Sequence, residues 1–291
     1  MPQRDWAFLR QQLQVARPGL WATQLWFYLL PLGGMRLLGE WTFWLGAVYV
    51  MFPLGYLLYG WNDGADYETD RLNPRKGNYL FGAKLSREQL SRLPLRMALV
   101  QAPFWLAMAW AIGPKFWLWA AACLAVNAAY NWPRWGTKGL PLLDVLNQSG
   151  YLLVFVLSSW LNDAPQLPWP AMLVGALFAM HSHLVNEIAD VDPDRVAGRR
   201  TTAVVIGVAR TKLLIAAMLL AEAALMQAYF DSLMVVVFLA AAGAGFAIEA
   251  AIYRDRVMPE WQLRWVLIAW NLVAIASMHW VWREAIFVSG V

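Results

Sequence analysis

Apolar residues along this chain are concentrated in long runs separated by short polar segments. A helix needs about 20 mostly apolar residues to cross the hydrocarbon core of a bilayer. Nine runs approach or reach this length, at residues 19–38, 41–61, 94–113, 115–131, 142–161, 168–187, 212–230, 233–253 and 262–282. The pattern predicts an all-α polytopic membrane protein, with about nine transmembrane helices in one bundle.

The composition supports this prediction. Of the 291 residues, 60% are hydrophobic and 14% are charged, whereas a soluble domain has about 45–50% apolar and about 25% charged residues. The 19 tryptophans suit a surface that meets lipid and its headgroups. Because the runs use the whole chain, we expect a single domain over residues 1–291. Cys123 is the only cysteine, so no intrachain disulfide forms.

The basic residues predict the orientation in the membrane. With the N-terminus in the cytoplasm, 20 of the 23 Lys and Arg residues fall in cytoplasmic segments, and only Arg36, Lys115 and Arg283 fall outside. This bias follows the positive-inside rule and explains the net charge without a nucleic-acid partner. Residues 1–17 predict an amphipathic helix on the membrane surface. Two cytoplasmic loops, 62–93 and 188–211, are long enough to suggest a functional role.

Each long loop begins with the same acidic motif. A shift of 124 residues superimposes one copy on the other and suggests an internal repeat. The matched pairs are Asn62 and Asn186, Asp63 and Glu187, Asp66 and Asp190, Asp70 and Asp194, Arg71 and Arg195, Arg75 and Arg199, and Lys76 and Arg200.

The spacing within each motif predicts a metal site. Asn62, Asp66 and Asp70 are four residues apart, which places three oxygen-bearing side chains on one face of a helix. Their mutual repulsion is relieved by hard cations, and Mg²⁺ is held by one or two carboxylates together with water and phosphate oxygens. The predicted metal ligands are Asn62, Asp66, Asp70, Asn186, Asp190 and Asp194, with Asp63 and Glu187 in support. Pro193 predicts that the second helix loosens near its end.

Basic residues beside the acidic motifs predict a clamp for a diphosphate. Paired basic residues follow each motif, at Arg75 and Lys76 and at Arg199 and Arg200. Such cations hold the phosphate oxygens that the metal leaves free. A third cytoplasmic segment, residues 130–144, carries Lys138 on a turn rich in Pro and Gly, so Lys138 can add to this anion site.

These residues resemble the UbiA superfamily of intramembrane prenyltransferases. Asn62, Asp63, Asp66 and Asp70 fill its N-D-x-x-D-x-x-x-D motif, and the second motif departs from the pattern only at Glu187. The segment with Tyr130, Pro133, Lys138 and Asp144 resembles a further element of the family, and Arg17-Pro18 resembles its N-terminal Arg-Pro.

The resemblance implies nine helices around a central cavity. It also implies that a prenyl-transfer reaction takes place in this cavity. An allylic isoprenyl diphosphate, bound through two Mg²⁺ ions, ionises and alkylates an apolar acceptor. Asp66, Asp70, Asp190, Asp194 and Lys138 would carry the catalysis. The diphosphate would contact Arg17, Arg75, Lys76, Tyr130, Lys138, Arg199 and Arg200.

Two other functions fit the same sequence. A membrane terpene cyclase would close the allylic cation on itself, without an acceptor. A non-catalytic lipid-binding or transport protein would also be built from repeats, but it would concentrate its charges near the bilayer midplane. The acceptor stays open among quinone precursors, chlorin alcohols, haem, lipids and carotenoids, although residues 66–76 resemble those of carotenoid-elongating members.

Overall fold

The computed structural model describes residues 2–71, 73–230 and 232–288, and their secondary structure is helical. Within these ranges the extended structure is limited to an isolated bridge between Asn78 and Gly82. The helices are α1 (Pro2–Val15), α2 (Trp21–Leu29), α3 (Trp41–Met51), α4 (Pro53–Ala65), α5 (Tyr67–Asp70), α6 (Arg87–Ser91), α7 (Leu93–Ile112), α8 (Pro114–Asn131), α9 (Leu143–Leu146), α10 (Leu153–Leu161), α11 (Trp169–Val196), α12 (Thr202–Ile206), α13 (Val208–Tyr229), α14 (Leu233–Tyr253) and α15 (Glu260–Met278).

Every apolar run of the sequence is helical over most of its length. Among the described residues, five helical stretches are long and apolar enough to cross a membrane, at Trp41–Ala65, Leu93–Ile112, Trp169–Val196, Leu233–Tyr253 and Glu260–Arg283. The first of these stretches consists of α3 and α4. The last consists of α15 and the π-helical turn that follows it, His279–Arg283. The remaining runs form helices outside this set of five, among them the uninterrupted α8 and α13, so the number of nine crossings stays a prediction.

The outer faces of the bundle are apolar. On α7, Leu99 is 65% and Trp110 is 78% exposed. Large exposed apolar surfaces of this kind are rare on soluble proteins and are suited to contact with lipid tails. The interior is packed around aromatic side chains such as Tyr28, Tyr49 and Phe155, which are fully buried. The helices are therefore apolar on the side that faces out as well as on the side that faces in.

A proline divides the second helical run near its middle. Pro53 has no backbone N–H, and the helix breaks between α3 and α4 at Phe52. Gln101 of α7 donates its side-chain amide to the carbonyl of Pro53 at 2.7 Å. This contact ties α7 to the first residue of α4.

The predicted loops contain helices of their own. The first motif lies at the end of α4 and in α5, whereas the second lies within α11, which continues through Pro193 to Val196. The prediction that Pro193 loosens this helix was therefore wrong. The helix end is closed just beyond the proline, because the amides of Ala197 and Arg199 donate to the carbonyls of Pro193 and Asp194.

Helix α1 packs beside the first motif loop. Gln14 donates to the carbonyl of Gly77 at 3.0 Å, and the amide of Gly19 donates to the carbonyl of Tyr79 at 3.0 Å. Between these contacts, Arg17 has a left-handed backbone, with φ of 50°. This turn at Arg17 directs the chain from α1 into α2, and it holds the loop against the end of the bundle.

Candidate active site

Both acidic motifs line one cavity of about 330 Å³. The cavity is formed by α2, α4, α8, α11 and the segments that carry the basic residues. The charged and amide side chains of the predicted site that line it are Asn62, Asp66, Asp70, Asn186, Glu187, Asp190, Asp194, Arg17, Arg75, Lys76, Lys138 and Arg199, together with Tyr130. Asp63 and Arg200 are the predicted site residues that do not line it.

Asp66 is at the centre of the charged end of the cavity. It forms ion pairs with Lys138 and with Arg199, and it accepts a hydrogen bond from Asn62 at 3.0 Å. Burial by itself would raise the pKa of Asp66, but the two cations outweigh this effect and hold the pKa below its ordinary value. For Lys138, burial prevails over the attraction of Asp66 and lowers the pKa.

Asp63 lies behind the cavity and positions two of the predicted diphosphate contacts. Its Oδ1 atom is 3.1 Å from Arg17 Nη2 and 2.6 Å from Lys76 Nζ. The Arg17 guanidinium also lies over the ring of Tyr59, 4.5 Å from its centroid. Lys76 reaches on to Asp70 Oδ2 at 2.7 Å. Asp63 therefore anchors two cations, and its supporting role at a metal stays a prediction.

The second motif faces the first across the cavity. Asp190 pairs with Arg75 and accepts a hydrogen bond from Asn73 at 2.9 Å. Asp194 lies 3.5 Å from Arg199, the same side chain that pairs with Asp66. Two basic side chains thus connect the motifs. Arg75 extends from the first loop to Asp190 of the second motif, and Arg199 extends from the second loop to Asp66 of the first motif.

Glu187 contacts a backbone amide and a histidine ring. Among the described residues it forms no ion pair with Lys or Arg. Its Oε2 atom accepts the amide N–H of Ala203 at 2.9 Å, and its Oε1 atom is 3.0 Å from His183 Nε2. The first contact attaches α11 to the start of α12. Glu187 matches Asp63 in the repeat, and both side chains are almost fully buried. Each acts as an anchor, one for cations and the other for a neighbouring helix.

Three contributors to the site were not identified from the sequence. Asn73 positions Arg75 by accepting its backbone amide at 3.0 Å while its own amide donates to Asp190. Tyr59 forms the surface below Arg17. Asp144 accepts a hydrogen bond from the Thr202 amide at 2.7 Å and so connects the Lys138 segment to α12. The only sequence signal for Asn73 is its place between the motif and Arg75.

The donor set suits a divalent cation that also binds phosphate. No three Asp, Glu, His or Cys side chains converge on one point within the described part of the chain. Mg²⁺, however, needs only one or two carboxylates when phosphate and water complete its octahedron. Asp66, Asp70, Asp190 and Asp194 line one cavity and are the carboxylates that could hold such an ion. An ion that bound between them would compete with the basic side chains for these carboxylates, and the basic side chains could then contact a phosphate.

The other end of the cavity is apolar and aromatic. Its wall includes Phe27, Leu54, Trp119, Val154 and Phe178. Phe27 and Phe178 are 5.4 Å apart between ring centroids. A charged end that leads directly into an aromatic, water-excluding end suits a ligand with an anionic head and a short apolar tail.

Comparisons with known proteins bear on the family and the fold. The model of the UbiA prenyltransferase family matches residues 18–273. A UbiA homologue from Archaeoglobus fulgidus, solved with DMAPP and Mg²⁺, superimposes with a TM-score of 0.67 at 20% identity, over 93% of this chain and 98% of that chain. The same homologue solved with GPP and Mg²⁺ gives a TM-score of 0.63 at 17% identity, over 93% and 99% of the two chains.

Curated relatives share part of their length with this chain. The lycopene elongase/hydratase of Corynebacterium glutamicum is 32% identical over 174 residues, which is 58% of this chain and 59% of that protein. The lycopene elongase/hydratase of Haloferax volcanii is 32% identical over 56% of this chain and 52% of its own length. The C(50) beta-cyclic carotenoids biosynthesis protein LbtBC of Dietzia is 30% identical, over 62% of this chain and 41% of that protein. The chain thus spans between two fifths and three fifths of these relatives.

Proposed function

We infer the function from the fact that the chain belongs to the UbiA prenyltransferase family, whose model matches residues 18–273. We propose that it transfers an isoprenyl group from an allylic isoprenyl diphosphate to a hydrophobic acceptor and releases diphosphate. One observation carries the proposal. Arg75 and Arg199 connect the two acidic motifs at the charged end of a cavity whose other end is apolar.

The charged end of the cavity would hold the diphosphate. Mg²⁺, which we expect as two ions on the two motifs, supplies Lewis-acid neutralisation of the phosphate oxygens when bound. The side chains proposed as its ligands are Asn62, Asp66, Asp70, Asn186, Asp190 and Asp194. Arg17, Arg75, Lys76, Lys138 and Arg199 would bind the remaining oxygens, with Tyr130 beside Lys138. Arg200 lies outside the cavity lining, so we leave it out of this set.

The apolar end would receive the allylic group. When the bond from carbon to the diphosphate oxygen breaks, its electron pair leaves with the diphosphate, which the basic side chains stabilise. The positive charge stays on the allylic carbons, where the faces of Phe27, Trp119 and Phe178 attract it. A π bond of the acceptor then supplies the pair for the new carbon–carbon bond, which leaves a cation on the acceptor. This cation loses a proton, which the released diphosphate can take, and the double bond is restored. Water has to be excluded, because it would capture the same cation.

We propose a carotenoid end as the acceptor. The proposal is supported by the relatives named as lycopene elongases and by the LbtBC protein of C(50) carotenoid synthesis. A cavity of about 330 Å³ suits a short donor and one end of an acceptor, with the rest of a long polyene outside the bundle. A short donor agrees with the DMAPP in the similar Archaeoglobus structure.

We further propose that the chain crosses the membrane nine times, with its N-terminus and both motifs in the cytoplasm. The support is the helical character of all nine runs together with the distribution of basic residues. In this orientation a soluble diphosphate enters from the cytoplasm, while the acceptor enters from the bilayer.

The experiment is a transfer assay in proteoliposomes that contain lycopene, DMAPP and Mg²⁺. We expect a product that is larger than lycopene by one isoprene unit, with release of pyrophosphate. Asp66→Asn and Asp190→Asn should each reduce the rate by at least about a hundredfold. Asp192→Asn is the matched control, because Asp192 is 71% exposed and pairs with Arg195 outside the cavity. Wild-type turnover in both motif variants would contradict the proposal. A terpene formed without lycopene would indicate the cyclase instead.

A further inference from the structure

A second cavity lies in the half of the bundle away from the acidic motifs. It has a volume of about 730 Å³ and is an open groove between α2, α3 and α15. The turn after α2 and the π-helical turn after α15 close one end of it. In the proposed orientation, this groove faces the outer leaflet.

The floor of the groove is apolar. Leu25 and Leu29 of α2, Ala47 of α3 and Met278 of α15 line it, as does Trp282. The Trp282 ring stacks on Phe43 with their centroids 5.6 Å apart. An extended hydrocarbon chain can lie on such a surface, and it would bury area that otherwise faces lipid or water.

The rim of the groove carries two arginines, Arg36 and Arg283. These are two of the three basic residues that the sequence places outside the cytoplasm. Within residues 2–71, 73–230 and 232–288, neither has an ion pair or a side-chain hydrogen bond. Glu284, the nearest acid in sequence to Arg283, lies 3.8 Å from His279 instead. Two positive charges at the edge of one apolar groove favour an anion that contacts both of them.

The segments that carry these arginines are fixed to each other. The amide of Gly34 donates to the carbonyl of Trp282 at 2.6 Å. Gly33 packs so closely on the other segment that a Cβ atom there would be 2.7 Å from Ala285 Cα. Both arginines therefore extend from a rigid base, which lowers the entropy cost of binding a shared ligand.

We propose that this groove binds an anionic membrane phospholipid. Its phosphate would accept hydrogen bonds from Arg36 and Arg283, for which a planar guanidinium is well suited. One acyl chain would lie along Leu25, Leu29 and Met278. A neutral polyene would fit the floor but would leave the two charges unpaired, and a free phosphate would leave the floor uncovered. The inference does not depend on the proposed reaction.

The test is lipid binding to the whole protein, measured by native mass spectrometry with phosphatidylglycerol and phosphatidylcholine as probes. We expect wild type to retain phosphatidylglycerol in preference. Each arginine near a lipid surface contributes about a fivefold gain in affinity, so Arg36→Gln together with Arg283→Gln should weaken retention by roughly 30-fold. Lys115→Gln is the control, because Lys115 is exposed and does not line the groove. Glycerophosphoglycerol, which has no acyl chains, should not compete.

Three results would overturn the proposal. The first is unchanged phosphatidylglycerol retention in the double variant with a wild-type melting temperature. The second is equal retention of both lipids by wild type, which would indicate a neutral occupant. The third is competition by glycerophosphoglycerol, which would indicate a site for phosphate alone. If the double variant is unstable, the combined Arg36→Lys and Arg283→Lys variant keeps both charges and should preserve the preference for phosphatidylglycerol. Loss of this preference in the lysine variant would also contradict the proposal.

Discussion

The charged residues of the site form an alternating cluster in which acids and bases neutralise each other. Lys138 and Arg199 share Asp66, Lys76 joins Asp63 to Asp70, and Arg75 pairs with Asp190. Each of these cations is at least partly buried, so the loss of one partner leaves a charge with little access to water. Substitutions in the cluster will therefore change stability as well as activity.

Asp70→Asn should stabilise the metal-free protein at pH 8 and have a smaller effect at pH 5. Burial raises the pKa of Asp70 to about 6, opposed by Lys76 and assisted by Asp63 and Asp66. The folded state thus holds the proton more tightly than the unfolded state. Stability from this group is present below the ordinary aspartate pKa of about 4, and it is lost as the pH rises through about 6.

Asparagine cannot ionise, so it avoids this loss, which is at most roughly 3 kcal/mol. Melting temperatures of wild type and Asp70→Asn, measured with EDTA at both pH values, check the prediction. Glu68→Gln is the control, because Glu68 is exposed and pairs with Arg71 and Arg87 on the surface. Equal pH dependence in wild type and Asp70→Asn would contradict the assigned cause.

At this scale the sequence predicted the type of site better than the role of each residue. The motif spacing predicted that the two acidic clusters face each other. In the structure, Asp66, Asp70, Asp190 and Asp194 line one cavity. The anchoring roles of Asp63 and Glu187 depend on partners that are distant in sequence, such as Arg17, or lie on another helix, such as Ala203. No local pattern indicates such partners, and the ligand roles themselves stay predictions.

At the scale of the elements, a buried lysine holds the ends of two helices together. Lys212, near the start of α13, is fully buried. Its ammonium donates to the carbonyls of Arg254 and Arg256 at 3.2 and 2.8 Å, and to Glu249 at 3.3 Å. These contacts tie α13 to the end of α14 and to the turn that follows it.

Lys212→Met should therefore destabilise the protein by about 3 kcal/mol, because it leaves a largely buried carboxylate and two carbonyls without their donor. Chemical or thermal unfolding in detergent measures the loss. Lys115→Met is the control, since Lys115 is exposed. An unfolding free energy equal to that of wild type would show that water replaces the ammonium there.

The helices could be predicted from the sequence where apolar runs are continuous. The positions at which a helix is interrupted could not be predicted. An apolar run favours helix in a bilayer because the backbone then satisfies its own hydrogen bonds. At the break before Pro53, Gln101 from another helix donates to the Pro53 carbonyl. By contrast, α11 passes through Pro193 and ends three residues later. Whether a proline breaks a helix depends on tertiary partners, which a local pattern does not contain.

At the scale of the whole molecule, the orientation in the membrane follows from the basic residues and can be tested directly. In a Cys123→Ala background, which removes the only native thiol, Lys84→Cys should be labelled by an impermeant maleimide from the cytoplasmic side. Lys115→Cys should be labelled from the opposite side. Both side chains are exposed. Labelling of both from one side would contradict the nine-span topology.

The small cavity has a consequence for the order of reaction. In the proposed reaction with lycopene, the acceptor has two identical ends, and a space of about 330 Å³ would admit only one of them at a time. After the first transfer, the product has to leave the bundle, turn over in the bilayer and enter again with its other end. We expect such an enzyme to be distributive, so that the singly extended polyene builds up first and the doubly extended one appears after a lag.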